Sequence, residues 1–146
     1  RIQKFIPYKF ETLGEPSTAV EGKSQDIKPD DVVGYHVAMN PLTGQTKWKV
    51  PIKGMPNAAS VLATDGGVLF TGRPTGEFIA LDEDNGQTLW QFKTGSSINA
   101  PAITYTYKGK QYVTVLSGLG GSVIKRIIGE KIPTGGAVWT FALMPQ

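Results

Sequence analysis

Cysteine is absent from this chain of 146 residues, and His36 is its one histidine. Without thiols the chain has no disulfide, no thiolate metal site and no cysteine nucleophile. A single imidazole likewise rules out a metal site built from several histidines. Any chemistry in which the chain takes part therefore depends on other side chains, on backbone groups or on a second chain.

Other features are also scarce. The sequence has no run of about 18 apolar residues, the length that a membrane-spanning helix needs. The formal net charge of +3 is spread along the chain, which does not make the basic stripe typical of nucleic-acid binding. The P-loop and the motifs G-x-G-x-x-G, G-x-S-x-G and H-E-x-x-H are missing. Because the chain begins with Arg1 instead of Met, we expect it to be processed or cut from something longer.

Glycine and proline, in contrast, are abundant, with 18 and 10 residues. Their joint share exceeds the usual figure of about 12%, which favours turn-rich β structure over long helices. Apolar residues make up 40% of the chain and charged residues 18%. This balance supplies enough material for a core and is too low in charge for a disordered chain.

An internal repeat is the clearest pattern in the sequence. The segment Ala38–Trp48 recurs as Ala80–Trp90, with an offset of 42 residues at every position. Both segments follow the pattern A-x-[ND]-x-x-[TN]-G-Q-T-x-W. A partial echo, Ala137–Ala142, contains Trp139 without the preceding turn.

Each repeat is predicted to be a β-hairpin, because alternating residues flank a polar turn that contains glycine. Asn40 and Asp82 stand where a short side chain can accept hydrogen bonds from the turn backbone. The carboxylates at 82–84 are therefore expected to be turn residues and not a metal site or a pair of catalytic acids. Trp48 and Trp90 each carry a large flat surface that an isolated hairpin cannot bury. Each hairpin therefore needs a neighbour.

The period predicts the architecture. A repeat of about 40 to 45 residues with about four short strands is typical of a β-propeller blade. Further strands are predicted at 67–72 and in a hairpin over 102–117. We expect residues 34–146 to form propeller blades and residues 1–33 to form an extended arm or loop that packs on a partner; residues 125–131 are expected in a loop. The alternative is a small sandwich with two similar hairpins.

These segments also resemble a known family. The resemblance rests on Val61–Gly72, Gly76–Asp82, Leu89–Gly95, Asn99–Pro101, Gly109–Val113, Ser117–Gly121 and Val138–Ala142. Together they resemble the C-terminal quarter of the pyrroloquinoline quinone (PQQ)-dependent alcohol dehydrogenases, the methanol/ethanol dehydrogenase family. The resemblance covers roughly residues 34–145.

The family's fold is an eight-bladed propeller with tryptophan-docking motifs, in which the tryptophan of one blade stacks on a glycine peptide of the next. The resemblance implies that this chain is all-β, with about two to three four-stranded blades of that propeller, completed by a partner chain. The docking residues it implies are Ala38, Gly44, Trp48, Ala80, Asp82, Gly86, Trp90 and Trp139.

The resemblance also implies an activity. It implies a periplasmic quinoprotein that oxidises a primary alcohol to the aldehyde and passes electrons through PQQ to cytochrome c. A Ca²⁺ or lanthanide ion polarises the quinone in that family. Its ligands and the catalytic base have no equivalents here, so we expect no catalytic residue and no metal ligand in this chain. Both are expected on a larger chain of the same propeller, in a hetero-oligomer.

The expected cofactor contacts lie in two loops. The family has Trp-x-Gly-Gly where this chain has 57–60, and Asn57 takes roughly the place of the tryptophan. The resemblance thus implies PQQ contacts at Asn57 and Ala58, and at Gly120, Gly121 and Ser122 in a second loop. The alternative for these residues is a turn role. Asn99 is expected to order a bend, and His36 is expected to be structural.

The missing tryptophan keeps a second function open. A propeller scaffold that has lost the quinone and binds proteins through its faces is compatible with the same hairpins. A carbohydrate-binding β module is a third reading, but it requires exposed aromatic residues, and Trp48, Trp90 and Trp139 are better explained as docking residues.

Overall fold

The computed structural model describes residues 28, 30–54, 59–118 and 132–143. This part of the chain consists of nine strands: β1 (Val32–Met39), β2 (Thr46–Lys53), β3 (Leu62–Thr64), β4 (Val68–Gly72), β5 (Glu77–Asp82), β6 (Thr88–Lys93), β7 (Ile103–Tyr107), β8 (Lys110–Gly118) and β9 (Gly136–Ala142). All paired neighbours are antiparallel. Within these ranges there is no helix of the length and apolarity that crossing a membrane requires.

The strands form three sheets in chain order. The first sheet pairs β1 with β2, the second has the order β3-β4-β5-β6, and the third has the order β7-β8-β9. Each sheet is a meander in which consecutive strands are neighbours, as in a propeller blade. The result is an open partial propeller, which confirms the predicted fold class. The second sheet alone has four strands among the described residues; its neighbours show two and three.

The two repeats have the same local geometry. Asn40 accepts hydrogen bonds at Oδ1 from the backbone N–H groups of residues 42 and 43, at 2.9 and 3.3 Å. Asp82 does the same for residues 84 and 85, at 2.7 and 3.3 Å. Gly44 and Gly86 have φ angles of 70° and 74°. The turn role predicted for these residues is therefore confirmed.

Other sequence predictions also correspond to elements. The hairpin predicted over 102–117 forms from β7 and β8, and Lys108 and Gly109 adopt φ angles of 48° and 74° at its tip. Two consecutive positive φ angles are what a tight two-residue hairpin turn requires. β1 begins at Val32, so the last two residues of the predicted arm belong to a strand. Residues 1–27 of that arm and the loop at 125–131 lie outside the described residues.

The core lies between the second and third sheets. It contains the buried side chains of Phe78, Ile98 and Val115, with Phe141 packed against them. Aromatic rings cross the interface, with centroids 5.5 Å apart for Phe78 and Phe141 and 4.9 Å apart for Phe92 and Trp139. Large aromatic surfaces dominate the energy of such an interface, so these two sheets form one packed unit.

Both outer sheets have apolar residues on faces that nothing in the described chain covers. On the first sheet these are alternate residues of β1, including Tyr35, Val37 and Met39, the last being 57% exposed. On the third sheet they include Leu116 and Val138, which pair with each other across β8 and β9. Contiguous apolar faces of this kind mark interaction surfaces.

Candidate functional site

The first and second sheets meet through the tryptophan of one repeat and the glycine turn of the next. A Cβ atom added to Gly86 would lie 2.8 Å from Cε3 of Trp48 and 2.7 Å from Cγ2 of Val50. The indole Nε1 of Trp48 donates a hydrogen bond of 2.7 Å to the carbonyl oxygen of Glu83. The Trp48 ring therefore lies directly on a glycine peptide, in space that a side chain would fill.

An ion pair joins the same strand, β2, to the same turn of the second sheet. Lys47 Nζ lies 2.6 Å from Asp84 Oδ1. The bond raises the pKa of Lys47 and lowers the pKa of Asp84. Both groups are solvent-exposed, so the pair contributes little to stability and is weakened by salt.

Antiparallel order assigns each connection to one of two ends of the sheets. The hairpins β1–β2, β3–β4, β5–β6 and β7–β8 lie at one end, which we call the turn end. The connections β2–β3, β4–β5, β6–β7 and β8–β9 lie at the other, which we call the link end. The predicted cofactor loops belong to the β2–β3 and β8–β9 connections. The link end is therefore where a site is expected.

A buried hydroxyl network holds the link end of the second and third sheets together. Ser117 Oγ donates to Thr94 Oγ1 at 2.8 Å and contacts the carbonyl oxygen of Ser96 at 3.0 Å. Ser96 Oγ donates to the carbonyl oxygen of Pro133 at 2.6 Å. The backbone N–H of Gly118 donates to the carbonyl oxygen of Ser97 at 2.7 Å. Buried networks of this kind rigidify the residues that they join when their groups are satisfied.

Ile98 fixes the same connection against the second sheet. Its side chain is fully buried, and a Cβ atom on Gly72 would lie 2.0 Å from its Cγ2. Its backbone N–H donates to the carbonyl oxygen of Arg73 at 3.0 Å. Gly72 is therefore required for the close approach of Ile98, and Arg73 is held beside the residue that precedes Asn99.

Unpartnered polar atoms also occur in this region. Arg73 Nε, Asn99 Oδ1 and His36 Nε2 are buried and have no hydrogen-bond partner in the described part of the chain. Burial, and then the charge of Arg73, hold the pKa of His36 below its usual value of 6.5. Sequence reasoning missed Arg73, because a lone arginine in a glycine-rich turn carries no motif.

The predicted site residues divide into two groups. Asn57, Ala58, Gly120, Gly121 and Ser122 lie outside the described residues. Of the described residues that flank those two loops, Ala59 shares the buried cluster with Ile98, and Gly118 bonds the β6–β7 connection. The structure therefore brings one flank of each predicted loop to the β6–β7 connection.

The predicted docking residues are all described. Ala38 and Ala80 pair with Trp48 and Trp90 in the strand register, and an irregularity follows each alanine. Trp90 packs edge-on to Phe141, with centroids 5.1 Å apart. Trp139 stands on the third strand of its sheet, where it faces Phe92. Trp48 stands on β2 and Trp90 stands on β6, the last strands of the first and second sheets.

No group of three or more histidine, cysteine, aspartate or glutamate residues that could hold a metal ion occurs in the described ranges. Two of the three carboxylates at 82–84 have partners: Asp82 holds its own turn, and Asp84 pairs with Lys47 of the preceding repeat. The bonds of Asp82 support the predicted turn role.

The protein-family comparison assigns the fold to a group of enzymes. The family model described as "Glucose/ethanol/alcohol dehydrogenase, beta-propeller domain" (PQQ) matches residues 15–113. The chain belongs to this family. The predicted family resemblance is thereby confirmed.

Named relatives are quinoprotein dehydrogenases. The chain is 40% identical over 119 residues to the quinoprotein alcohol dehydrogenase PedE of Pseudomonas putida, covering 78% of this chain and 19% of that protein. It is 44% identical over 108 residues to the dehydrogenase subunit of the alcohol dehydrogenase (quinone) of Acetobacter aceti, covering 74% of this chain and 14% of that protein. The chain therefore spans about a fifth or less of these PQQ-family relatives.

A solved structure agrees with the sequence relatives. The europium-containing methanol dehydrogenase superposes with a TM-score of 0.65 at 29% identity, covering 73% of this chain and 23% of that one. The three sheets described above therefore correspond to a part of a quinoprotein propeller.

Proposed function

We propose that the chain forms the C-terminal blades of a PQQ-dependent alcohol dehydrogenase, which oxidises a primary alcohol to the aldehyde and passes the electrons through the quinone to cytochrome c. The observation that carries the proposal is the family match over most of the described blades. The chain's relatives of 40% identity or more are quinoprotein dehydrogenases. Catalysis belongs to the whole propeller, of which this chain supplies one sector.

The Trp48–Gly86 contact supports a tryptophan-docking role for the repeat. The indole lies on the glycine peptide and its Nε1 bonds the same turn. At the next interface Trp90 and Trp139 pack on aromatic rings instead, Trp90 on Phe141 and Trp139 on Phe92. In our proposal Gly44 receives a tryptophan of the preceding blade. The apolar faces of the first and third sheets then pack on a larger chain, which makes the enzyme a hetero-oligomer.

The link end has groups that fit the cofactor. PQQ is an anionic quinone with several carboxylates, and a guanidinium is the side chain best suited to a carboxylate. Arg73 has a buried Nε–H without an acceptor in the described ranges, and it stands in the β4–β5 connection at the link end. In the proposal Arg73 lies on the cofactor's side of the blade, and the predicted contacts at Asn57, Ala58, Gly120, Gly121 and Ser122 line the same wall.

In this proposal the residues of this chain hold the cofactor in position, and the cofactor itself carries out the redox chemistry. PQQ, when bound, supplies the two-electron acceptor. Buried hydroxyls of Thr94, Ser96 and Ser117 hold the connections in place. The Ca²⁺ or lanthanide ion and the catalytic base are proposed to belong to the larger chain, in a periplasmic enzyme. The structural neighbour is a europium-containing methanol dehydrogenase.

The test is reconstitution of the purified assembly. PQQ is removed by chelation and dialysis, and PQQ is then added back with Ca²⁺ or with a lanthanide. We expect oxidation of a primary alcohol to return with an artificial electron acceptor and with cytochrome c, only when both PQQ and the ion are present. An assembly that binds no PQQ and oxidises no alcohol would overturn the proposal in favour of a quinone-free scaffold.

A further inference from the structure

The 42-residue repeat extends beyond the hairpin into the connection that follows it. Asn57-Ala58 recurs as Asn99-Ala100, at the same offset that relates Trp48 to Trp90. The first pair lies between β2 and β3 in sequence, and the second lies between β6 and β7. Both connections belong to the link end. The repeat unit therefore includes an asparagine at the end of the sheets that carries the proposed site.

The side chain of Asn99 is held by one of its two polar groups. Its Nδ2 donates a hydrogen bond of 2.9 Å to Ser97 Oγ, and Ser97 is completely buried. Its Oδ1 is buried and accepts no hydrogen bond from the described residues. A buried acceptor without a donor destabilises the fold, and native proteins keep few such atoms.

A bend-ordering role does not by itself account for the buried, unpartnered Oδ1 of Asn99. The asparagine and aspartate side chains that order turns in this chain use Oδ1 to accept a backbone N–H, as Asn40, Asp82 and Asn85 do. Asn99 instead bonds a serine hydroxyl through Nδ2 and leaves Oδ1 unused. The bond to Ser97, two residues earlier, is compatible with the predicted bend, but it gives the buried Oδ1 no partner.

The backbone that precedes Asn99 is fixed, and the Nδ2 bond to Ser97 holds the side chain, so the unused oxygen has a defined position. Ile98 is packed against Gly72 and bonded to the carbonyl of Arg73. Ser97 accepts the N–H of Gly118, the last described residue before the predicted second loop. An acceptor held in this way is preorganised, which lowers the entropic cost of binding a donor.

We propose that Asn99 Oδ1 accepts a hydrogen bond from the group bound at the link end. The proposal rests on the proposed function. The shared chemistry of the bound group is an N–H or O–H donor, which two components of that reaction carry. One is the pyrrole N–H of PQQ, and the other is the hydroxyl of the alcohol substrate.

Isosteric variants test this in the complete assembly, depleted of cofactor and titrated with PQQ by fluorescence. Asn99→Leu removes the acceptor at nearly constant volume, and the smaller Asn99→Ala serves where Leu fails to fold. Asn99→Asp keeps an acceptor oxygen, which Ser97 can bond through its own hydroxyl. Asn85→Leu is the matched control, because it removes an asparagine oxygen at the turn end.

The binding and kinetic measurements together distinguish PQQ from the alcohol as the hydrogen-bond donor. If the pyrrole is the donor, Asn99→Leu weakens PQQ binding about tenfold, while Asn99→Asp and Asn85→Leu stay within about threefold of the unsubstituted assembly. If the alcohol is the donor, PQQ binding is unchanged and KM for the alcohol rises about tenfold. Unchanged PQQ binding and KM in Asn99→Leu or Asn99→Ala overturn the inference. Failure of the unsubstituted assembly to bind PQQ overturns the proposed function instead.

Discussion

At the scale of single residues, His36 of the first sheet and Arg73 beside the second sheet show how these two sheets interact electrostatically. His36 stands on the inner face of β1, and Arg73 stands at the end of β4 in the second sheet. Burial and the charge of Arg73 both lower the pKa of His36. The imidazole is therefore neutral in the folded protein under conditions where a free histidine begins to gain its proton.

This shift predicts a pH dependence of stability. Because the folded-state pKa is lowered, the unfolded state binds more protons between the folded pKa and about 6.5, and stability falls as pH decreases through that window. Above pH 7 both states are neutral and the effect vanishes. We expect the unfolding midpoint to fall less between pH 7.5 and 5.5 in His36→Gln than in the unsubstituted protein, as followed by thermal denaturation.

Within this chain, a difference between the two pH profiles reports on His36, because the chain has no second histidine. Parallel pH profiles for the two proteins would show that His36 is not protonated on unfolding in this range. They would contradict the burial that the structure gives to this side chain.

At the scale of elements, the contact between Trp48 and Gly86 is the joint between the first and second sheets. Gly86 has φ near +74° and no room for a methyl group. Gly109, in the β7–β8 turn, has the same φ but nothing within 4 Å of an added Cβ. A substitution at Gly109 therefore adds backbone strain alone, whereas the same substitution at Gly86 adds strain and a packing clash.

We expect Gly86→Ala to lower the free energy of unfolding by about 2 to 4 kcal/mol, since it adds overpacking to the strain of a left-handed alanine. Gly109→Ala is expected to cost about 1 kcal/mol, from strain alone. Denaturant unfolding followed by tryptophan fluorescence measures both. Equal losses in the two variants would mean that the indole does not press on the Gly86 peptide in solution.

Ile98 makes a second joint, between the second sheet and the connection to the third. Truncation of this fully buried side chain by Ile98→Ala is expected to cost about 3 kcal/mol. Ile103, five residues on, is 57% exposed on the outer face of β7, and Ile103→Ala is expected to cost about 0.5 kcal/mol. Chemical denaturation compares the pair. Similar losses would place Ile98 outside the core.

Much of the secondary structure could be predicted from the sequence, because hairpins and turns depend on local residues. Polar turns with Asn40 or Asp82 and a following glycine define the hairpins wherever the chain lies, and the repeat then indicates the blade. The contacts that join one sheet to the next could not be predicted in this way. That Ile98 fills the space over Gly72, and that Arg73 lies beside it, depends on residues brought together by the stacking of sheets. The unused Oδ1 of Asn99 was not predictable either, because its burial depends on tertiary packing.

At the scale of the whole molecule, the described sheets behave as one sector of a larger ring. Their outer faces display Tyr35, Val37, Leu116 and Val138 to solvent, at a density that an isolated domain seldom leaves uncovered. The chain also spans 19% of its PedE relative. In the proposed enzyme these faces are interfaces with neighbouring blades.

The repeat supplies a probe of that assembly. Gly44 has the turn geometry of Gly86, but an added Cβ would meet nothing within 4 Å. If a tryptophan of the preceding blade docks there, Gly44→Ala weakens association with the larger chain about tenfold or more, as the new methyl group collides with the ring. Gly109→Ala leaves association unchanged. Surface plasmon resonance between the separated chains measures both, and normal association of Gly44→Ala would exclude docking at this glycine.

The most direct test of the central claim is the composition of the native assembly. Native mass spectrometry identifies every chain that accompanies this one, and the absorbance spectrum of the same sample reports bound quinone. We expect a larger quinoprotein chain in equimolar amount, with one PQQ for each completed propeller. A self-sufficient monomer or homo-oligomer that carries no PQQ, and takes up none on titration, would contradict it.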